Sequence, residues 1–225
     1  MPNPLYDALF ATLAARDSTL LRLQDGTEIS GSAFYGQIAR FAHGLRHLGV
    51  QPGDRVAVQI AKSPEALALY AATVSIGAVF LPLNTAYTAA ELDYFIGNAT
   101  PRVFLCDPAK ADSLRALTDS HGANLLTLDA RGEGSLMALS ASQPSTFTAS
   151  DCAPDALAAI LYTSGTTGRS KGAMLTHDNL LSNAKTLAQL WRFDDTDILL
   201  HALPIFHTHG LFVASNVSLI SGGQM

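Results

Sequence analysis

Thr163 to Lys171 reads T-S-G-T-T-G-R-S-K. Hydroxyls stand at Thr163, Ser164, Thr166 and Thr167, glycines at Gly165 and Gly168, and cations at Arg169 and Lys171. These residue types suit a phosphate chain. Glycine lets main-chain N–H groups approach an anion closely. Hydroxyls donate to phosphate oxygens, and a lysine ammonium gives the outer phosphates a compact charge. The order is not that of a Walker loop. The fifth position after Gly165 is Ser170 and the fifth after Gly168 is Ala173, where G-x-x-x-x-G-K-[ST] requires glycine. A surface loop made of turn residues is the alternative that composition leaves open.

Downstream, L-P-I-F-H-T-H-G runs from Leu203 to Gly210 and carries His207 and His209. No carboxylate or cysteine adjoins this pair, so no metal-ligand set is assigned. His201, at the end of an apolar run, is expected to pack or hydrogen-bond locally.

An apolar run, Ala156 to Leu161, leads into the loop and reads as a strand. Ligands of open α/β sheets bind beyond the carboxyl ends of strands. Upstream, Leu5, Leu9 and Leu13 mark an amphipathic surface helix. Leu20 to Ser30 reads as a hairpin with a tight turn at Asp25-Gly26. A helix is expected over 32–48, stopped by Gly49. Arg55–Ile60 reads as a strand. Ser63-Pro64 supplies an N-cap and first-turn proline for a helix to Gly77. Ala78–Leu83 reads as a strand, and Thr88 with Glu91 forms a capping box for the next helix. Arg102–Cys106 and Asn124–Leu128 read as strands around a helix at 108–119.

Alternating strands and helices predict an α/β fold with mostly parallel sheets and helices on both faces. Residues 1–130 form a first α/β unit, 131–155 a connector, and 156–225 a second unit carrying the loop. In the second unit a helix is expected near 178–191, a strand over Asp197–Pro204, and a helix over Leu211–Ile220. No strand is read after that last helix. A crossover needs a strand to return to, so the chain is expected to stop inside a larger domain.

The totals narrow the functional classes. Of 225 residues, 48% are hydrophobic and 15% charged, enough for a sizeable core. Net charge is −5, with 14 basic and 19 acidic residues and no basic block, which argues against nucleic acid as a partner. Cys106 and Cys152 form no C-x-x-C and suit reduced thiols in a cytoplasmic protein. The stretch Ala66–Leu83 approaches a membrane span in length, but Ser75, Gly77 and Pro82 break it into a buried helix and a strand.

The order Y-T-S-G-T-T-G-R-S-K-G, Tyr162 to Gly172, resembles the signature loop of the adenylate-forming enzymes, which include acyl- and aryl-CoA synthetases. The Leu203–Gly210 segment resembles that family's proline-aromatic-His-x-x-Gly segment. Gly53–Val58 and Gly77–Asn84 resemble its early region, so the likeness covers most of the chain. Within the family, the two motif segments are most similar to malonyl-CoA synthetases. Many members carry proline before the lysine, where this chain has Ser170.

The resemblance implies an incomplete N-terminal large domain and a two-step reaction. Malonate, or another small carboxylic acid, attacks Mg-ATP to give an acyl-adenylate and pyrophosphate; coenzyme A then displaces AMP. ATP, Mg2+ and coenzyme A are the implied cofactors and co-substrates, and the partners are small molecules. Thr163, Ser164, Gly165, Thr166, Thr167, Gly168 and Lys171 would hold the β- and γ-phosphates. His207 would lie near the adenylated carboxylate, and Tyr162 would be the last strand residue. Arg169, with His207, would hold the second carboxylate of malonate, because a buried charge needs a cation; a solvated loop arginine is the alternative. The family's Y-G-x-T-E-like segment, ribose-binding Asp and C-terminal lysine motif do not occur in the sequence. The chain alone is therefore expected to be inactive. A truncated nucleotide-binding or interaction module is the competing reading, and a nucleoside-triphosphate hydrolase or kinase is disfavoured by the failed Walker spacing.

Overall fold

The computed structural model describes residues 2–163 and 170–225. It opens with a short helix, α1 (Pro4–Leu9), capped by Asn3 and followed by a 3-10 turn at Ala11–Ala15. Leu5, Leu9 and Leu13 are buried as their spacing predicted. Strands β1 (Thr19–Arg22) and β2 (Glu28–Ser30) pair antiparallel. Their connection is not the two-residue primed turn expected. Leu23 N–H donates to Thr27 C=O at 2.8 Å and Gly26 N–H to Leu23 C=O at 3.0 Å, a longer loop with Gly26 left-handed at φ 87°.

Helix α2 (Gly31–His47) leads into the main sheet. That sheet has six strands: β3 (Arg55–Gln59), β4 (Val79–Pro82), β5 (Val103–Cys106), β6 (Asn124–Thr127), β7 (Leu157–Thr163) and β8 (Lys171–Thr176). Their order is β6-β5-β3-β4-β7-β8. All pairs are parallel except β7 with β8. The connecting helices are α3 (Pro64–Ser75), α4 (Ala89–Ala99) and α5 (Ala111–Ser120), with a short α6 (Ser135–Ser140) inside the irregular 131–155 segment. Ser63 Oγ caps α3, and Thr88 and Glu91 close the capping box of α4.

The two-residue period of the strands divides their side chains between two cores. Val56, Val58, Phe80, Val103 and Leu105 pack with α1, α2 and α3. Ala57, Leu81, Phe104 and Cys106 pack with α4 and α5 on the opposite face. Burial on both sides explains why these strands are continuous apolar runs. Helix α3 is buried nearly all round, so Ala66–Leu83 is core, and among the described residues no helix is long and apolar enough to cross a membrane. Its Tyr70 ring lies edge-on to Phe10, Phe80 and Phe212 at 5.7, 5.4 and 5.5 Å. Each such pair adds about 0.5–1.5 kcal/mol beyond area burial.

Helix α7 (His177–Trp191) follows β8. The expected strand Asp197–Pro204 is a correction: among the described residues of that run, only Ile198 makes a bridge, with Gln224. Beyond it no strand among the described residues offers a partner, and Leu200 is 90% exposed. The last helical stretch has a wide-turn π segment, His209–Ser215, before α8 (Asn216–Ile220). Among the described residues no strand follows α8, as the sequence reading expected, but the last two residues make main-chain contacts. Met225 N–H donates to Leu20 C=O at 2.9 Å and Arg22 N–H to Met225 C=O at 2.8 Å, while Leu199 N–H donates to Gln224 C=O at 2.8 Å. A two-residue segment carries no periodicity by which to find it.

Candidate functional site

The glycine-hydroxyl segment joins β7 to β8, two antiparallel strands, and not a strand to a helix. The pairing runs from Leu157 opposite Thr176 to Thr163 opposite Lys171, with Tyr162 opposite Gly172. Thr163 and Lys171 therefore face each other across the mouth of a hairpin, both exposed. Strand β7 is parallel to β4, so this mouth lies at the carboxyl rim of the parallel strands. Ser164, Gly165, Thr166, Thr167, Gly168 and Arg169 fall outside the described residues.

Helix α4 braces both strands of the hairpin. Tyr162 O–H donates to Asn98 Oδ1 at 2.5 Å, and Tyr94 O–H donates to the Ser170 carbonyl at 2.9 Å. The Tyr162 ring packs at a tilt of 40° against Phe95, with centroids 4.4 Å apart. Burial first, and the neighbouring Tyr94 second, push the Tyr162 phenol up. Tyr162 is thus a packed strand residue, as expected, although the last residue of the strand is Thr163.

A second feature of the rim had no counterpart in the sequence reading. From β3 the chain moves to β4 on one side and later reaches β5 on the other, so the loops leaving β3 and β5 diverge to opposite faces. That divergence opens a crevice at the carboxyl ends, the usual ligand position in such sheets. A cleft of about 550 Å3 occupies it, lined by Gln59 at the end of β3 and Lys62 after it, Thr85 after β4, Asp107 and Lys110 after β5, and Phe206. Lys110 Nζ donates to Thr85 C=O at 2.7 Å. Gln59 is 1% exposed; its Nε2 donates to Asn84 and Tyr87 carbonyls, each at 3.0 Å, and its Oε1 is buried with no partner among the described residues. Both lysines follow parallel strands by a few residues. Only the strand order, which sequence does not print, puts those ends side by side.

Lys62 also ties the histidine segment to the sheet. Its Nζ donates to the carbonyls of His201 (2.7 Å) and Leu203 (3.2 Å), and burial lowers its pKa. His201 hydrogen-bonds as expected. Its Nε2 lies 2.9 Å from Gly210 C=O and 3.0 Å from Ser215 Oγ. Ser215 Oγ donates to the same Gly210 carbonyl. A carbonyl only accepts, so Nε2 carries the proton and the buried Nδ1 is bare. Burial, then the Lys62 charge, lower the His201 pKa. Between these anchors Pro204–His207 forms a turn in which His207 is exposed and its ring meets Phe206 edge-on at 4.5 Å. His207 thus stands one residue from the wall of the cleft. Among the described residues no three His, Cys, Asp or Glu side chains cluster as metal ligands.

Residues 11–225 match the AMP-binding enzyme family. The chain is 34% identical over 200 residues to a feruloyl-CoA synthase from Amycolatopsis sp, covering 89% of this chain and 39% of the relative. It is 30% identical over 168 residues to a malonate–CoA ligase from Arabidopsis thaliana, covering 74% of this chain and 28% of that one. Among solved structures, ATP-bound MatB from Rhodopseudomonas palustris superposes with a TM-score of 0.96 at 52% identity, over 100% of this chain and 45% of that chain. The chain spans less than half the length of these three relatives.

Proposed function

The chain belongs to the AMP-binding enzyme family, and from that premise we propose that it forms the phosphate-binding part of an ATP-dependent carboxylic acid–CoA ligase, with malonate as the acid. A carboxylate oxygen attacks the α-phosphorus of ATP. The bond from that phosphorus to the β-phosphate oxygen breaks, and pyrophosphate leaves. The coenzyme A sulfur then attacks the acyl carbon, AMP departs with the bridging oxygen, and the thiol proton passes to solvent. Charge gathers on the departing pyrophosphate, so the work is positioning and charge stabilisation.

The observation that carries this reading is Thr163 opposite Lys171 at the rim of the sheet. A hydroxyl and an ammonium aligned there, with Ser164–Gly168 between them in sequence, suit the β- and γ-phosphates. Magnesium would arrive with the ATP, and these residues would hold the phosphate oxygens it leaves open. The cleft between the loops after β3 and β5 is suited to the phosphorylated end of coenzyme A. Lys62 and Lys110 supply charge, and the bare Gln59 Oε1 accepts from an amide or amino group. His207 beside this cleft is assigned to the reacting carboxylate, and Arg169 to the second carboxylate of malonate. The Arabidopsis malonate–CoA ligase supports malonate; the feruloyl-CoA synthase marks another acid as the alternative.

The 225 residues alone are expected to bind ATP without malonate-dependent pyrophosphate exchange. Replacing the matching part of Rhodopseudomonas palustris MatB with them gives a testable ligase, and the TM-score of 0.96 makes the exchange structurally conservative. With hydroxylamine present, that chimera should form malonyl hydroxamate. An active chimera whose Arg169→Ala version kept its malonate KM and kcat would remove Arg169 from the acid site. ATP binding unaffected by Lys171→Ala would remove the phosphate assignment.

A further inference from the structure

We infer that Tyr94 and Asn98 are positioning residues that fix the two strand ends carrying Thr163 and Lys171, an inference that rests on the phosphate assignment just made. They sit four residues apart on α4 and so share one face of that helix. Asn98 takes the hydroxyl of Tyr162, the residue before Thr163; Tyr94 gives its hydroxyl to the carbonyl of Ser170, the residue before Lys171. One rigid helix thereby grips the hairpin on both strands, one residue short of each proposed phosphate ligand. The ladder between β7 and β8 sets which residue is opposite which. Pairing of β7 with β4, recorded at Phe80 opposite Ala159, seats the hairpin in the sheet four residues before Thr163, while among the described residues β8 has no strand on its far side and exposes Lys171 to Met174. The anchor to α4 adds a hold at the strand ends themselves, beyond that pairing. Helix α4 is itself held by the capping box at Thr88 and by Leu92, Phe95 and Ile96 in the core.

The test uses the 225-residue chain. Tyr94→Phe removes one hydroxyl and keeps the ring packing on Phe95 and Tyr162. Losing a hydrogen bond of this kind is expected to speed amide exchange at Lys171–Met174 roughly three- to tenfold and to raise the ATP Kd by a similar factor. Asn98→Ala should do the same at Leu161–Thr163. Tyr35→Phe, which loses phenol bonds to the Phe147 carbonyl at 3.2 Å and to Tyr6, none of them on α4, β7 or β8, should leave both readouts unchanged and controls for a general loss of stability. Exchange at Lys171–Met174 equal to that of the parent would overturn the inference, with or without nucleotide. An ATP Kd that rises for Lys171→Ala and stays level for Tyr94→Phe would also overturn it, while leaving the phosphate assignment standing. An ATP Kd unmoved by Lys171→Ala would instead defeat the phosphate assignment, and the exchange rates would then decide the anchor alone.

Discussion

Thr163 and Lys171 are paired residues of one hairpin, eight positions apart in sequence and opposite each other in space. Lys171 is exposed, so removing it should leave the fold intact and act on ligand alone. Lys171→Ala is expected to weaken ATP at least about tenfold, the scale of a lost charge-assisted hydrogen bond, with an unchanged melting temperature. Calorimetric titration with ATP checks the first part and a thermal scan the second.

Gly210 lies against the backbone of the histidine turn. A Cβ there would fall 2.0 Å from the Pro204 carbonyl oxygen, and main chain cannot yield as a side-chain tip can. Gly210→Ala should destabilise by about 1–3 kcal/mol, as over-packing does. For a chain of this size that lowers Tm by roughly 2–4 °C per kcal/mol. The turn carrying His207 should shift with it, which a thermal scan and His207 proton chemical shifts would report.

His177 opens α7 fully buried, and neither ring nitrogen has a partner among the described residues. Burial lowers its pKa below the ordinary histidine value. The unfolded chain, with histidine near about 6.5, then takes up the proton more readily than the folded one. Stability should be fully present above that pH and decline as pH falls below it. Urea unfolding at a series of pH values should show the decline, and His177→Leu should flatten it. Some slope should remain, because burial and Lys62 shift His201 the same way.

Lys62 is a tether that composition alone would call a surface lysine. Lys62→Met keeps the stem and removes both bonds to the His201 and Leu203 carbonyls. The ammonium is largely solvated, so the stability change should stay within about 1 kcal/mol. Amide exchange at Leu203–His207 should rise by more than the global change accounts for. Equal exchange in the two proteins would show that the turn holds itself.

Much of the scaffold was legible because its signals are local. Ser63-Pro64 and Thr88 with Glu91 announced their helices by caps, and β3 to β6 by apolar runs between turn residues. The capping box that starts α7 has Thr176 with Asn179 in place of the usual Glu or Gln, and β8 before it is an exposed edge strand without alternation. Together they hid a strand and so the hairpin. The run Asp197–Pro204 misled in the opposite sense, since apolar residues mark a strand only where a partner exists. At the candidate site, the chemistry of the loop and of His207 was visible as residue types. Lys62, Lys110 and Tyr94 were not, because each acts across more than 20 residues of sequence through the order of strands in the sheet.

Helices α3, α4 and α5 each begin where a parallel strand ends, so their partially positive N-termini gather along the rim that also holds Lys62, Lys110 and Lys171. The chain as a whole carries −5. An approaching polyanion therefore meets repulsion at long range and attraction close in. Salt screens the longer-range part first, with a Debye length of about 10 Å at 0.1 M. Nucleotide capture by this rim should consequently lose less speed with rising ionic strength than capture by a protein that is basic throughout.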